Sequence, residues 1–187
     1  WGVPPSLTLE PDLTAPGGNI YSTTDKGTYG LMSGTSMASP NLAGISALVK
    51  QYVLAQDGLG KADGAKTNSL VRALLMSTST PLVYQHQDGL YYSPRKQGAG
   101  LANAYASVTT KAYLSVDGRD VPKVELGHDP DRTGSYRYAF HVTNFGDTPL
   151  YYTLTTVAQT EGVTQADGRT FMSGAPKALD AVTTERT

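Results

Sequence analysis

The residues of this chain best placed to do chemistry lie in the run Met32-Ser33-Gly34-Thr35-Ser36-Met37-Ala38-Ser39-Pro40, which opens an apolar helical pattern. A hydroxyl at a helix start sits near the positive end of the macrodipole, beside first-turn N–H groups that have no partner within the helix. Such a place stabilises an oxyanion. Acyl transfer needs that arrangement: Ser36 as nucleophile, with its own N–H aimed at the tetrahedral oxygen once a histidine has removed the hydroxyl proton. Gly34 lets backbone pass close to a substrate. On residue types alone a plainer role competes, because Ser and Thr are favoured helix N-caps and Thr35 or Ser36 could merely close the first turn.

The elements that must position this serine can be read from period and punctuation. Ala38, Leu42, Ile45, Leu48, Val49, Tyr52 and Val53 recur at spacings of three and four, which predicts a helix from near Ser36 through about Leu54, with Pro40 in its first turn. Ala43, Gly44 and Ala47 predict close approach of a neighbouring element, and Gly58 a stop. Upstream, the proline-rich stretch 7–18 reads as a rigid loop turning at Gly17-Gly18, followed by a short strand at Asn19-Ile20-Tyr21. Downstream, Thr67 or Asn68 caps a second helix that runs to about Ser77 and closes before Pro81. Residues 84–96 read as irregular, and Gly98-Ala99-Gly100 leads into a third helix over 101–108. Beyond Thr110 the period becomes two: Tyr136, Tyr138, Phe140 and Val142 share a face, Phe145-Gly146-Asp147-Thr148-Pro149 is turn chemistry, and Leu150, Tyr152 and Leu154 resume the alternation. Residues 136–156 therefore predict a hairpin or neighbouring strands of an antiparallel sandwich. The expected domains are 1–110 and 111–187, the second shorter than the roughly 100 residues of a complete seven-stranded sandwich.

Composition limits the partners. The chain has 187 residues, with 15 Lys+Arg against 16 Asp+Glu, so no field draws it to nucleic acid or anionic lipid. Twenty Gly and 11 Pro with only 17% charged residues describe a loop-rich ordered protein. The absence of Cys excludes disulfides, thiolate metal sites and cysteine nucleophiles. No apolar run approaches the roughly 18 residues of a membrane span. The chain opens at Trp1 without Met or a basic-then-apolar leader, which reads as an internal point of a longer polypeptide.

The string Gly34-Thr35-Ser36-Met37-Ala38-Ser39-Pro40-Asn41-Leu42-Ala43-Gly44 resembles the active-serine signature of the subtilisin-like serine proteases. Pro11-Asp12-Leu13-Thr14-Ala15-Pro16-Gly17 is similar to that family's Pro-Asp-x-x-Ala-Pro-Gly element, and Gln97-Gly98-Ala99-Gly100-Leu101 to the start of its last helix. The resemblance covers about 1–110. Trp1-Gly2, the run 15–22 and the run 92–100 resemble more narrowly the lactocepin-type cell-envelope proteinases, in which a fibronectin type III-like domain follows the protease domain. The resemblance implies an α/β subtilisin-like catalytic fragment, its helices packed on a parallel sheet, followed by a partial all-β fibronectin III-like sandwich. It implies a secreted, cell-surface endopeptidase acting on proteins or peptides. Ser36 is then the nucleophile, Thr35 lies beside the oxyanion hole, Met37 packs against the serine, and Ser33 and Gly34 border the bound peptide.

Departures from the pattern matter as much. The family's catalytic Asp and His, and the Asn of its oxyanion hole, precede the serine, whereas His86, His128 and His141 all follow Ser36 and read as surface residues. The base and its orienting acid are thus expected from an N-terminal protease segment outside this chain, without which the chain is expected to be inactive and, with helix faces exposed, prone to aggregate. Asp12 reads as a loop-fixing residue. Asn41 replaces the family's His after the motif proline. The loop 127–132, with Asp129 and Asp131, is only a weak calcium cue, so no metal or other cofactor is assigned, although related proteinases use calcium. The competing function is a non-catalytic adhesion or scaffold protein that keeps the serine helix as a relic. An α/β-hydrolase esterase fits less well, since its nucleophile motif is G-x-S-x-G.

Overall fold

The structure, a computed structural model, describes residues 8–56, 59, 64–85, 89–119, 121–126, 131 and 133–179. The first element is a hairpin, β1 (Ile20–Thr23) with β2 (Tyr29–Met32), antiparallel with Ile20 opposite Met32. It delivers the chain directly to α1 (Thr35–Ala55). The helix opens with Gly34 as N-cap at φ 153°, ψ 173°, a conformation that only glycine adopts without strain, and no side chain caps it. Pro40 is thereby the sixth residue of α1, in its second turn and not its first, and its missing N–H leaves the Ser36 carbonyl without the usual i+4 partner.

A second helix, α2 (Gly64–Ser77), starts before the expected Thr67 cap, because Thr67 is only 3% exposed and lies inside the helix. Gly58, the expected stop of α1, lies outside the described residues. The core is Val49 and Val53 of α1 with Val71, Leu74 and Leu75 of α2, joined by the partly buried Leu13, Ile45, Leu70 and Val108. A short turn of helix, α3 (Pro94–Gln97), occupies part of the stretch read as irregular: Ser93 Oγ accepts from the Arg95 amide at 3.3 Å and Pro94 opens the turn. The last helix, α4 (Ala104–Thr109), begins later than expected because Asn103 caps it, its side-chain oxygen accepting from the Ala106 amide at 3.0 Å. Leu101 instead bridges Thr14 in parallel and Thr80 antiparallel.

After Thr110 the chain forms β3 (Ala112–Ser115), β4 (His141–Asn144), β5 (Gln159–Ala166) and β6 (Arg169–Ala178). The expected pairing of 136–142 with 150–154 does not form: β4 pairs with β3, and 150–154 joins no ladder. The reason is Phe145. Its amide donates to Lys111 O at 2.9 Å and its ring packs with Tyr113 against the helical core, so β4 is drawn onto β3. The alternation itself has a structural counterpart, since Tyr138, Phe140, Val142, Tyr152 and Leu154 all line one apolar cleft of about 1000 Å³ beside α2 and α4. β5 and β6 form a separate antiparallel hairpin with a register shift between Glu161 and Val163. The named strands among the described residues form three two-stranded antiparallel sheets, so the fold is mixed α/β; the parallel sheet expected beneath the helices is not among them.

Candidate functional site

Ser36 is the second residue of α1 and is exposed, as are Ser33, Gly34 and Thr35, while Met37 is half-buried beside them. The capping alternative does not hold for either hydroxyl, because Gly34 is the N-cap and its carbonyl takes the amides of Met37 at 3.1 Å and Ala38 at 3.2 Å. Among the described residues the Ser36 hydroxyl has no hydrogen-bond partner, and neither have the Thr35 and Ser36 amides. The helix tip thus presents a hydroxyl and free N–H groups together, which is the local arrangement that oxyanion stabilisation requires.

Two loops hold this tip. Gly34 N–H donates to Gly17 O at 2.8 Å, and the approach is so close that a Cβ on Gly17 would stand 2.7 Å from Gly34 O and 2.9 Å from Ala38 Cβ. Ser33 Oγ accepts from the Asn19 amide at 2.8 Å, which ties it to the loop. Asn41 Nδ2 donates to Pro16 O at 3.5 Å, so this residue also secures the loop. The proline-rich loop is in turn laced to the Gln97-Gly98-Ala99-Gly100-Leu101 segment. Ala99 N donates to Asp12 O, Thr14 N to Gly100 O and Ala102 N to Thr14 O, each at 2.9 Å. Buried Gln97 anchors that segment by donating to Tyr92 O and accepting from the Leu82 amide. The two sequence motifs that flank the serine motif are therefore in direct contact.

Asp12 fixes the loop, as its place in the motif suggests. Its carboxylate accepts from Arg72 Nη2 and from Lys123 Nζ, both at 2.7 Å. Burial pushes the Asp12 carboxyl up, but the hydrogen bonds and charges of Lys123 and Arg72 outweigh it and hold the group below its ordinary value. Burial likewise pushes Lys123 down, and its bonds to Asp12 and the charge of Glu10 reverse that into a raised value. Neither cation was identifiable in advance: Lys123 is 111 positions from its partner, and no local pattern signals such a contact.

Of the three histidines, His141 lies on β4, exposed, with Nε2 2.9 Å from Asp117 Oδ1; His86 and His128 lie outside the described residues, as do Asp129 and Trp1-Gly2. Asp131 is exposed, and among the described residues no group of three His, Cys, Asp or Glu side chains could hold a metal ion. No helix among them is long and apolar enough to cross a membrane.

Residues 3–101 match the Subtilase family, Peptidase_S8, over more than half of the chain. The chain belongs to the subtilase family and so to a lineage of serine peptidases. Among its relatives, the C5a peptidase of Streptococcus pyogenes serotype M18 (strain MGAS8232) is 35% identical over 182 residues, 96% of this chain and 15% of the relative. The C5a peptidase of serotype M1 is likewise 35% identical over 182 residues, 96% of this chain and 14% of the relative. The PII-type proteinase of Lacticaseibacillus paracasei is 39% identical over 113 residues, 58% of this chain and 6% of the relative. The chain thus spans about 15% of the length of the first of these relatives, and similarity to the C5a peptidases continues past the change of period at Thr110.

Proposed function

We propose that this chain carries the nucleophile of a secreted, cell-envelope subtilisin-like endopeptidase, with Ser36 attacking the scissile carbonyl of a protein or peptide. In this reading Thr35 stands beside the oxyanion hole, the Ser36 N–H faces the tetrahedral oxygen, and Ser33 and Gly34 border the bound peptide. Met37 packs under the serine. The attack forms an acyl-enzyme on Ser36 and expels the amine; water then attacks the ester and frees the serine. The base that takes the serine proton, its orienting acid and the oxyanion Asn come from polypeptide outside this chain, so 1–187 alone is inactive. Residues 1–110 belong to the catalytic region, and 111–187 begin a fibronectin type III-like domain of the lactocepin type.

The observation that carries this reading is the unspent hydroxyl of Ser36 on an exposed helix tip whose cap is supplied by Gly34 backbone. A second feature supports it. Lys50 is the one charged residue of α1, and its outer face, running from Ser36 through Ala43, Gly44 and Ala47, is small and exposed; a helix apolar on both sides is one that a larger structure buries. The rest of the catalytic region would cover that face and bring its base to Ser36. Cleavage of a denatured protein substrate by the full-length polypeptide tests the proposal. Ser36→Ala is expected to reduce kcat by at least about 10³-fold. A Ser36→Ala protein that retains activity would overturn the proposal, and a folded, inactive wild type would favour the scaffold reading.

A further inference from the structure

Lys123 lies outside the stretch that matches the subtilase family, residues 3–101, yet its ammonium group reaches back into the loop that supports Ser36. Its Nζ donates to Leu9 O at 2.6 Å and Asp12 Oδ1 at 2.7 Å, with Glu10 Oε1 at 3.4 Å, which occupies the three donors of a lysine. The side chain is only 12% exposed, whereas Arg72, the other cation on Asp12, is 49% exposed. A neighbour strengthens the same clamp, since Glu125 accepts the Leu9 amide and pairs with Arg119 at 3.8 Å. From Asp12 the restraint passes along a short, heavily bonded path: Asp12 O to Ala99, Thr14 to Gly100 and Ala102, and Gly17 O to the amide of Gly34. That amide belongs to the residue that caps α1 and sets the position of Ser36.

We infer that Lys123 is a positioning residue for the serine site: it clamps residues 9–12 from the segment that follows β3 and so makes turnover at Ser36 depend on the unit downstream of the catalytic region. The inference rests on the reading of Ser36 as nucleophile. Lys123 touches neither substrate nor serine; it acts through the loop. A packed polar chain of this kind transmits a displacement because each donor has one acceptor and little freedom to find another. Misplacement of a nucleophile by a fraction of an ångström lowers the rate of reaction more than it lowers binding.

The test uses the full-length polypeptide. Lys123→Met, Lys123→Arg and Ser36→Ala are compared for kcat and KM on one peptide, together with amide hydrogen exchange of the peptide that contains Gly34. Lys123→Met is expected to lower kcat on the order of tenfold with KM within about twofold, and to speed exchange at Gly34 while Leu74 and Leu75 in the core stay protected. Lys123→Arg, which keeps the charge, is expected to recover much of the loss. Should the methionine variant fail to fold, Lys123→Gln, with a shorter reach and no charge, carries the same expectation. A folded Lys123→Met or Lys123→Gln protein with wild-type kcat and wild-type exchange at Gly34 overturns the inference and leaves the nucleophile reading intact. Activity that survives Ser36→Ala overturns that reading and this inference with it.

Discussion

Replacing Gly17 by alanine puts the geometry beneath the serine under direct stress. The new Cβ would stand 2.7 Å from Gly34 O and 2.9 Å from Ala38 Cβ, where ordinary contacts lie at about 3.5–4.0 Å. Two of the atoms it meets belong to the backbone around the start of α1, so relief requires the loop and helix to part by several tenths of an ångström. Overpacking of this kind costs about 1–3 kcal/mol, and weakening of the 2.8 Å bond from Gly34 N to Gly17 O costs about 1 kcal/mol more. Reduced freedom of the unfolded chain returns about 0.4–1 kcal/mol, which leaves a net loss of about 1–3.6 kcal/mol. For a chain of this size that is a fall in Tm of roughly 2–14 °C. Gly18 is the natural control, because a Cβ there meets nothing within 4 Å, and Gly18→Ala is expected to leave stability unchanged or raise it slightly. Denaturant titration of the two variants measures the difference. Equal stability of Gly17→Ala and Gly18→Ala would refute the argument that the loop and the start of α1 are locked together by close contact.

Two more consequences can be checked on purified protein. Because Asp12 ionises at lower pH in the folded chain than in the unfolded one, it contributes stability that is present above about pH 3.9 and lost as the pH falls through its depressed value. Asp12→Asn should therefore cost stability at pH 7, and the gap from wild type should narrow in urea titrations taken below about pH 4; a gap that widens in acid would contradict the assigned sign. Gly44→Ala adds a methyl to a helix position with nothing within 4 Å, so this chain should gain about 0.5–1 kcal/mol from helix propensity. In the full-length polypeptide, where the outer face of α1 is proposed to be covered, the same change should lose about 1–3 kcal/mol by overpacking. A gain in both would argue that this face is never buried.

Local order was the legible part of this molecule. The period over 38–53 marks α1, and the serine motif falls on its first turn, because three- and four-residue spacing and helix-opening residues are properties of contiguous chain. Of the apolar residues that mark this period, Val49 and Val53 are buried, but Leu48 is 58% exposed. Apolar residues on both sides of a helix announce burial without saying which partner supplies it. The pairing of β4 with β3 was not legible, since it depends on Phe145 seating in a core built by distant helices. The β5–β6 hairpin is a different case. Its turn, Asp167-Gly168 with φ of 50° and 69°, has the sequence and the left-handed backbone of a two-residue hairpin, so its signal lies in the contiguous chain. The Asp12–Lys123 contact lies at the other extreme, because an ion pair across 111 positions exists only once the loop, α2 and the segment after β3 have been assembled.

Whether the hydroxyl at position 36 is the attacking group can be read from the site of a covalent adduct. The full-length polypeptide is treated with a fluorophosphonate, digested, and the modified residue identified by mass spectrometry. Phosphonylation is expected on Ser36 and on no other serine, with loss of the adduct after prior denaturation. An adduct on Ser33 or Ser39, or an unmodified Ser36 in a protein that still cleaves peptides, would contradict it.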